Sequence, residues 1–408
     1  MKRLLFILLI YGFLKEFRPI EPFLTPYLVT QKNLTNNVVY SRVYPVWTYS
    51  YILALLPTLL LTDVLRYQPV IVLEAGSYAL TWCLLLWGRG VWQMQMMQIL
   101  YGWATATEVA YYAYAYVMVP NEKYLRTTSW LRAAVEGGKT VSYALAQVLA
   151  SWAVLDMEGL NVMSLVAMLL LLPIALFALP SISWRKLSSK GGQLERVSFR
   201  AYAKEAGRML WLEARRGLGE SELLRWCLWW ALATAGFLQV TNYVQNLWEV
   251  LQEEGQADYN GAVAAINTLL GTAACLGVGW LRLSWQRWGE LVLGLGSALD
   301  AGLLLSMALS RSIWLCYAAQ FAFHTIHHAI ITVAQYNVAS RLKSQGFGFI
   351  FGLNTFAAVL IQTLLTLLLV QAGGLQLPIT QQFYAYSAYY ALISALFICM
   401  SIFSRCKC

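Results

Sequence analysis

Charge is scarce in this chain. Only 12% of its 408 residues are charged and 59% are apolar, whereas a soluble domain carries about a quarter charged residues. That excludes an ordinary water-soluble globule. Polar–apolar alternation is missing from the long apolar runs, such as residues 163–179 and 389–403, which excludes a transmembrane barrel. Histidine is limited to three residues, and the seven cysteines (83, 227, 275, 316, 399, 406 and 408) are scattered. None falls in a predicted outer loop, so no disulfide framework is implied. Cys406 and Cys408 close the chain beside the last apolar run, a weak palmitoylation signal. No nucleophile stands in order with a base and no cofactor motif is present, so nothing points to an enzyme.

What the chain does have is apolar length. A span needs roughly 20 mostly apolar residues to cross ~30 Å of hydrocarbon, and with no water there its backbone must pair internally as a helix. Twelve candidate spans follow: about 4–28, 44–64, 69–88, 91–119, 128–155, 160–181, 223–250, 260–282, 289–309, 312–338, 347–371 and 380–404. The first lacks a small-residue cleavage site and runs into a charged, proline-broken segment, so a retained helix is expected rather than a signal peptide.

The net charge of +9 points to topology rather than to nucleic acid. With the amino terminus inside, the inner side receives Lys2, Arg3, Arg66, Lys123, Arg126, Arg132, the cluster from Arg185 to Arg225, Arg282, Arg287, Arg341, Lys343, Arg405 and Lys407. The outer loops receive Lys32, Arg42, Arg89 and Arg311. This asymmetry predicts a multi-pass protein of the lipid bilayer with both termini cytoplasmic.

The long polar segment 182–222 separates an amino-terminal six-helix half, 1–181, from a carboxy-terminal one, 223–408. It is basic, holds Ser188, Ser189, Gly191 and Gly192, and over 202–224 has the pattern of an amphipathic helix on the anionic inner leaflet. The predicted fold is therefore an all-α membrane protein of major facilitator architecture, with a solute site near the midplane between the halves. A monomer is expected. Asn33-Leu34-Thr35 is a glycosylation sequon in the first outer loop, where this topology needs it.

Ionisable residues inside spans cost several kcal/mol unless paired or wet. Span one packs Lys15, Glu16, Arg18 and Glu21 among Pro19, Pro22 and Pro26, and each proline removes a backbone donor. Lys15 and Glu16 are expected to pair with neighbours, and Glu21 to face the solute. Glu108 lies mid-span among small residues and four tyrosines, Tyr111, Tyr112, Tyr114 and Tyr116. Two roles fit: a cation site with aromatic support, or a protonated acid bonded to another helix. Tyr44 and Trp47 open span two as aromatic walls of that site or as an interfacial belt.

Glu136-Gly137-Gly138-Lys139-Thr140 imitates a phosphate loop, but the motif's first glycine would fall on Ala133 and the segment is a membrane helix, so that is rejected. Glu136 and Lys139 share a helix face, or Lys139 reaches an acid across the cavity. His324, His327 and His328 also share a face, which allows metal ligation geometrically. No carboxylate or cysteine accompanies them in the sequence, so no metal is expected. Cavity lining, proton handling and structural bonding remain open for them. Asp63 and Arg66 form a helix-end charge cluster suited to latching an inner gate.

These motifs together resemble the reduced folate carrier and thiamine transporter family (solute carrier family 19). The run from Glu16-Phe17-Arg18-Pro19 to Glu21-Pro22-Phe23-Leu24-Thr25-Pro26-Tyr27-Leu28 is similar to its first-helix signature. So are Pro45-Val46-Trp47-Thr48-Tyr49, Leu61-Thr62-Asp63 with Arg66-Tyr67, Asn242-Tyr243-Val244-Gln245-Asn246, Tyr259-Asn260-Gly261-Ala262 and Phe351-Gly352-Leu353-Asn354. The resemblance spans nearly the whole chain and implies secondary-active vitamin uptake at the plasma membrane. It leans to the thiamine branch, which has Glu-Val-Ala-Tyr-Tyr as at Glu108 to Tyr112. The folate branch has arginine at that glutamate, lysine where this chain has Gln362 and arginine where it has His324. The resemblance thus implies a thiamine site of Glu21, Tyr44, Trp47, Glu108, Tyr111 and Asn260, with Lys139, His324 and Gln362 as further cavity or coupling residues. The alternative is a folate-type anion carrier using Lys139 and protonated histidines.

Overall fold

The computed structural model describes residues 2–181, 207–208, 212, 221–251, 260–281, 285–342, 346–371 and 374–406. The linker helix expected over 202–224 therefore lies largely outside the described residues. Among them there is no strand, and twelve long helices follow one another: α1 (Lys2–Lys15), α2 (Tyr44–Val64), α3 (Gln68–Trp87), α4 (Gly90–Met118), α5 (Tyr124–Ser151), α6 (Met157–Pro173), α7 (Ser221–Leu251), α8 (Asn260–Val278), α9 (Trp285–Leu309), α10 (Ile313–Arg341), α11 (Phe347–Leu369) and α12 (Ile379–Cys406).

Eight of the twelve are long and apolar enough to cross a membrane by length and composition. The other four are α1, α4, α5 and α10. Helix α1 is short, at 14 residues, and the other three hold Glu108, the Arg132–Glu136–Lys139 face and the three histidines.

Span one is not the continuous helix 4–28. Helix α1 stops at Lys15, a 3-10 turn runs over Glu21–Phe23, and a short helix resumes at Leu24–Thr30. Pro19 and Pro22 supply no backbone donor, and each biases the residue before it away from helical geometry. The break leaves Glu16, Arg18 and Glu21 on irregular backbone, free to aim sideways.

The first six helices meet the last six along α5–α8 and α2–α11, with further contacts of α5 to α10 and α4 to α11. The α2–α11 crossing is close because it uses glycine. A Cβ on Gly352 would stand 2.5 Å from the Leu59 Cβ, and one on Gly348 2.5 Å from the Thr62 Cγ2. At the end of the bundle where α6 stops and α7 starts, here the linker end, Asp63 accepts from the Phe349 N–H (2.7 Å), the Gly348 N–H (3.3 Å) and the Tyr67 hydroxyl (2.6 Å). Its carboxylate thereby caps the amino terminus of α11, where the helix dipole favours negative charge. Arg66 and Tyr67 take φ of 62° and 67° to turn the chain beside it, a left-handed conformation that side chains adopt at some cost. Tyr116 stacks on Phe347 at 5.6 Å and meets Phe351 edge-on at 5.5 Å, with Trp230 5.1 Å from Phe351. These contacts close the linker end. Away from the interior, Leu53, Leu56 and Leu60 of α2 and Leu360, Leu364, Leu367 and Leu368 of α11 stand exposed. They recur at helical spacing, as lipid-facing stripes do.

Candidate functional site

Two chains of ion pairs run through the first six helices. Lys15, fully buried at the end of α1, lies 3.3 Å from Glu74 of α3 and 2.8 Å from Glu108 of α4. Its ammonium sits 4.5 Å from the ring centre of Tyr111, and the Tyr11 hydroxyl donates to the other Glu74 oxygen at 2.9 Å. The second chain uses the break after α1. Arg18 pairs with Glu16 and, at 3.3 Å, with Glu21, while Lys139 joins Glu136 at 3.2 Å and Glu16 at 3.9 Å. Arg18 is enclosed by the rings of Tyr78, Trp82 and Tyr101 at 5.5–5.6 Å, cation–π contacts that partly replace lost hydration. Glu21 accepts from the Tyr101 hydroxyl at 3.0 Å and the Tyr143 hydroxyl at 2.9 Å.

Exposure divides these charges. The side chains of Lys15, Glu74, Glu16, Arg18 and Glu136 are at most 5% accessible, whereas Glu21, Glu108 and Lys139 keep 26%, 29% and 28%. The three more open ones stand on the break after α1, on α4 and on α5. Trp47 donates to Thr105 at 3.3 Å and packs at 5.7 Å on Tyr51 and 6.1 Å on Tyr101. The Tyr44 hydroxyl shares a 2.6 Å hydrogen bond with Thr25.

The structure thus gathers Glu21, Trp47, Glu108 and Lys139, and places the other expected site residues elsewhere. Tyr111 is fully buried, its hydroxyl donating to the Leu8 carbonyl at 3.0 Å, so its ring supports Lys15 rather than facing open space. Gln362 bonds Gln239 and Thr366 at 3.4 Å, within the last six helices. Asp63 and Arg66 belong to the linker end, Asn33 is exposed beyond the short helix, and Asn260 starts α8 with its side chain outside the described residues.

The histidines separate. His327 stacks on Phe237 at 3.9 Å, while His324 and His328 stack on each other at 4.3 Å and turn toward Glu136. Glu74, Tyr101 and Tyr143 escaped the sequence. Glu74 carries a usable signal, a lone acid within an apolar span; the two tyrosines carry none.

A bundle closed at one end, with ion pairs threaded through its interior, is the form of a membrane carrier. The fold agrees with solved structures. It matches the human organic anion transporter MFSD10 (TETRAN) with a TM-score of 0.71 at 14% identity, covering 97% of this chain and 99% of that one. It matches the E. coli fucose:proton symporter FucP with a TM-score of 0.65 at 13% identity, covering 97% and 98%. The protein is a multi-pass membrane protein of the major facilitator fold.

The family model described as "Reduced folate carrier" matches residues 1–191 and 183–385. The chain is 42% identical to Folate transporter 1 of Caenorhabditis elegans, over 98% of this chain and 92% of that protein. It is 39% identical to Thiamine transporter 1 of Mus musculus and 38% to that of Homo sapiens, over 97% of this chain and 89% of each relative. The chain belongs to the reduced folate carrier family, solute carrier family 19, and is a transporter, not an enzyme.

Proposed function

We propose that this protein takes up thiamine, or an organic cation like it, across the plasma membrane by alternating access. The observation that carries this is the sign of the more open side chains of the cluster: two of the three, Glu21 and Glu108, are carboxylates and the third is Lys139. The wider cluster agrees. Glu16, Glu21, Glu74, Glu108 and Glu136 face Lys15, Arg18, Lys139 and Arg132, the last acting on Glu136 and Glu108 electrostatically. Uncompensated charge is costly in this medium, and the open carboxylates favour a solute of opposite sign. Trp47 and Tyr101 add aromatic faces that attract cations.

The two groups of six helices act as rocking halves. With basic residues cytoplasmic, the linker end is the inner face, and this arrangement is closed to the cytoplasm. The folate-type reading keeps one specific support, Lys139, which is as open as the two acids.

Uptake of labelled thiamine and labelled folate by cells expressing the chain decides between them. Thiamine is accumulated and is displaced by excess unlabelled thiamine but not by folate. Glu108→Gln retains size and hydrogen bonding but loses a charge-assisted contact, which is worth about 1–3 kcal/mol, so thiamine affinity falls about tenfold to a hundredfold. Accumulation of folate that Lys139→Tyr abolishes, or thiamine uptake unchanged in Glu108→Gln, replaces the cation reading with the anion one.

A further inference from the structure

All three histidines of the chain lie within one turn of α10. The carboxylate that no nearby sequence supplies comes from α5, 188 positions before His324. One ligand atom each from Glu136, His324 and His328 lie within 4.8 Å of one another, and all three residues are buried. His328 Nδ1 is 3.9 Å from Glu136 Oε1.

Two further observations point to an occupant. Glu136 Oε2, His324 Nδ1 and His328 Nδ1 are buried with no hydrogen-bond partner, and orphaned buried polar atoms normally have one. The space they face is held open by the lack of a side chain on α8. A Cβ on Gly271 would stand 3.3 Å from His324 Nδ1 and 3.5 Å from Glu136 Oε2.

We infer that Glu136, His324 and His328 form a site for a divalent transition-metal ion of the zinc class, whose occupation staples α5 to α10 and arrests the carrier in this arrangement. Two imidazoles and a carboxylate are a borderline donor set that suits zinc, with a fourth position left for water. Tetrahedral ligands at about 2.0–2.1 Å stand about 3.4 Å apart, so side-chain rotations must draw the cluster in by about an ångström. Lys139 and Arg132 oppose a dication. Lys139 holds Oε1, the carboxylate oxygen other than the orphan, and Arg132 is turned to Gln335 at 3.2 Å. The ligands come from opposite groups of six, so a bound ion resists their separation.

The test uses the full chain, purified in detergent through a tag without histidine. Co²⁺ is the probe, read by the visible absorption of its four-coordinate complexes, with Zn²⁺ as competitor. One Co²⁺ per chain is expected, displaced by Zn²⁺. His328→Ala and Glu136→Gln weaken binding at least tenfold, and His327→Ala leaves it unchanged. Gly271→Ala keeps every ligand but fills their space, and also weakens binding at least tenfold. That variant serves where loss of a ligand prevents folding. In vesicles, Zn²⁺ slows solute uptake by the wild type and spares Gly271→Ala. An absent Co²⁺ spectrum, or binding that Gly271→Ala and His328→Ala leave intact, overturns the site. Full binding with undiminished uptake overturns the arrest.

Discussion

Lys15 has no water to solvate its ammonium, so Glu74, Glu108 and the Tyr111 ring must do the whole work of hydration. Removing one partner of a buried ion pair costs about 3–5 kcal/mol, because the charge left behind is uncompensated, whereas an apolar or neutral replacement of both partners is often close to neutral. Lys15→Met therefore lowers the melting temperature and surface yield, and Lys15→Met with Glu74→Gln recovers much of both. Fluorescence-monitored gel filtration after graded heating measures it. A double variant no better than the single one would show that the pair is not coupled. Lys15 was legible as a paired charge because a lysine inside an apolar run has no other stable option. Glu74 was overlooked although the same rule applies to it. Tyr101 and Tyr143 were beyond reach, since a tyrosine in an aromatic-rich chain carries no mark of which carboxylate it will meet.

At the scale of the element, helices with uniform apolar composition begin and end near the places expected, because hydropathy alone limits them: α2 runs Tyr44–Val64 and α11 starts at Phe347, as expected. Span one departs because Pro19 and Pro22 interrupt it, a local rule that overrides the hydrophobic run. The contact of α11 with α2 depends on two glycines and a carboxylate that no periodicity reveals. Asp63→Asn removes charge-assisted bonds to the α11 amides, each worth about 1.5–3 kcal/mol, and so favours opening of the linker end by about tenfold or more. Spin labels on the exposed Glu122 and Ser221 should then show a larger long-distance population in Asp63→Asn than in the parent chain. Identical distance distributions would mean that the cap contributes nothing to closure. Gly352→Val acts by a different route. Its side chain collides with Leu59, wedging the same contact apart, and the same labels report it.

For the molecule as a whole, the distribution of basic residues predicts that the amino terminus, the linker 182–222 and the carboxyl terminus share one side. Epitope tags at all three positions should be silent to antibody in intact cells and visible after permeabilisation. Surface labelling of any one of them would refute the twelve-span topology. The all-helical membrane fold was legible from the sequence because each run must independently satisfy its backbone in lipid. The meeting of Glu136 with His324 and His328 was not, because it joins residues far apart in the chain through tertiary packing alone.

The separation of this charge network into hidden and open members has an evolutionary consequence. Lys15, Glu74, Glu16 and Arg18 are committed to holding helices together, so mutations there are filtered by folding before they can affect selectivity. Glu21, Glu108 and Lys139 keep about a quarter of their surface open, so the ionic state of Glu21 and Lys139 is cheaper to change, while a change at Glu108 calls for a compensating one at Lys15. A lineage can therefore reverse the sign of the solute it prefers through a few substitutions at these positions while inheriting the scaffold intact. A single family whose members are named for thiamine and for folate, a cation and an anion, is what such a division of labour would produce.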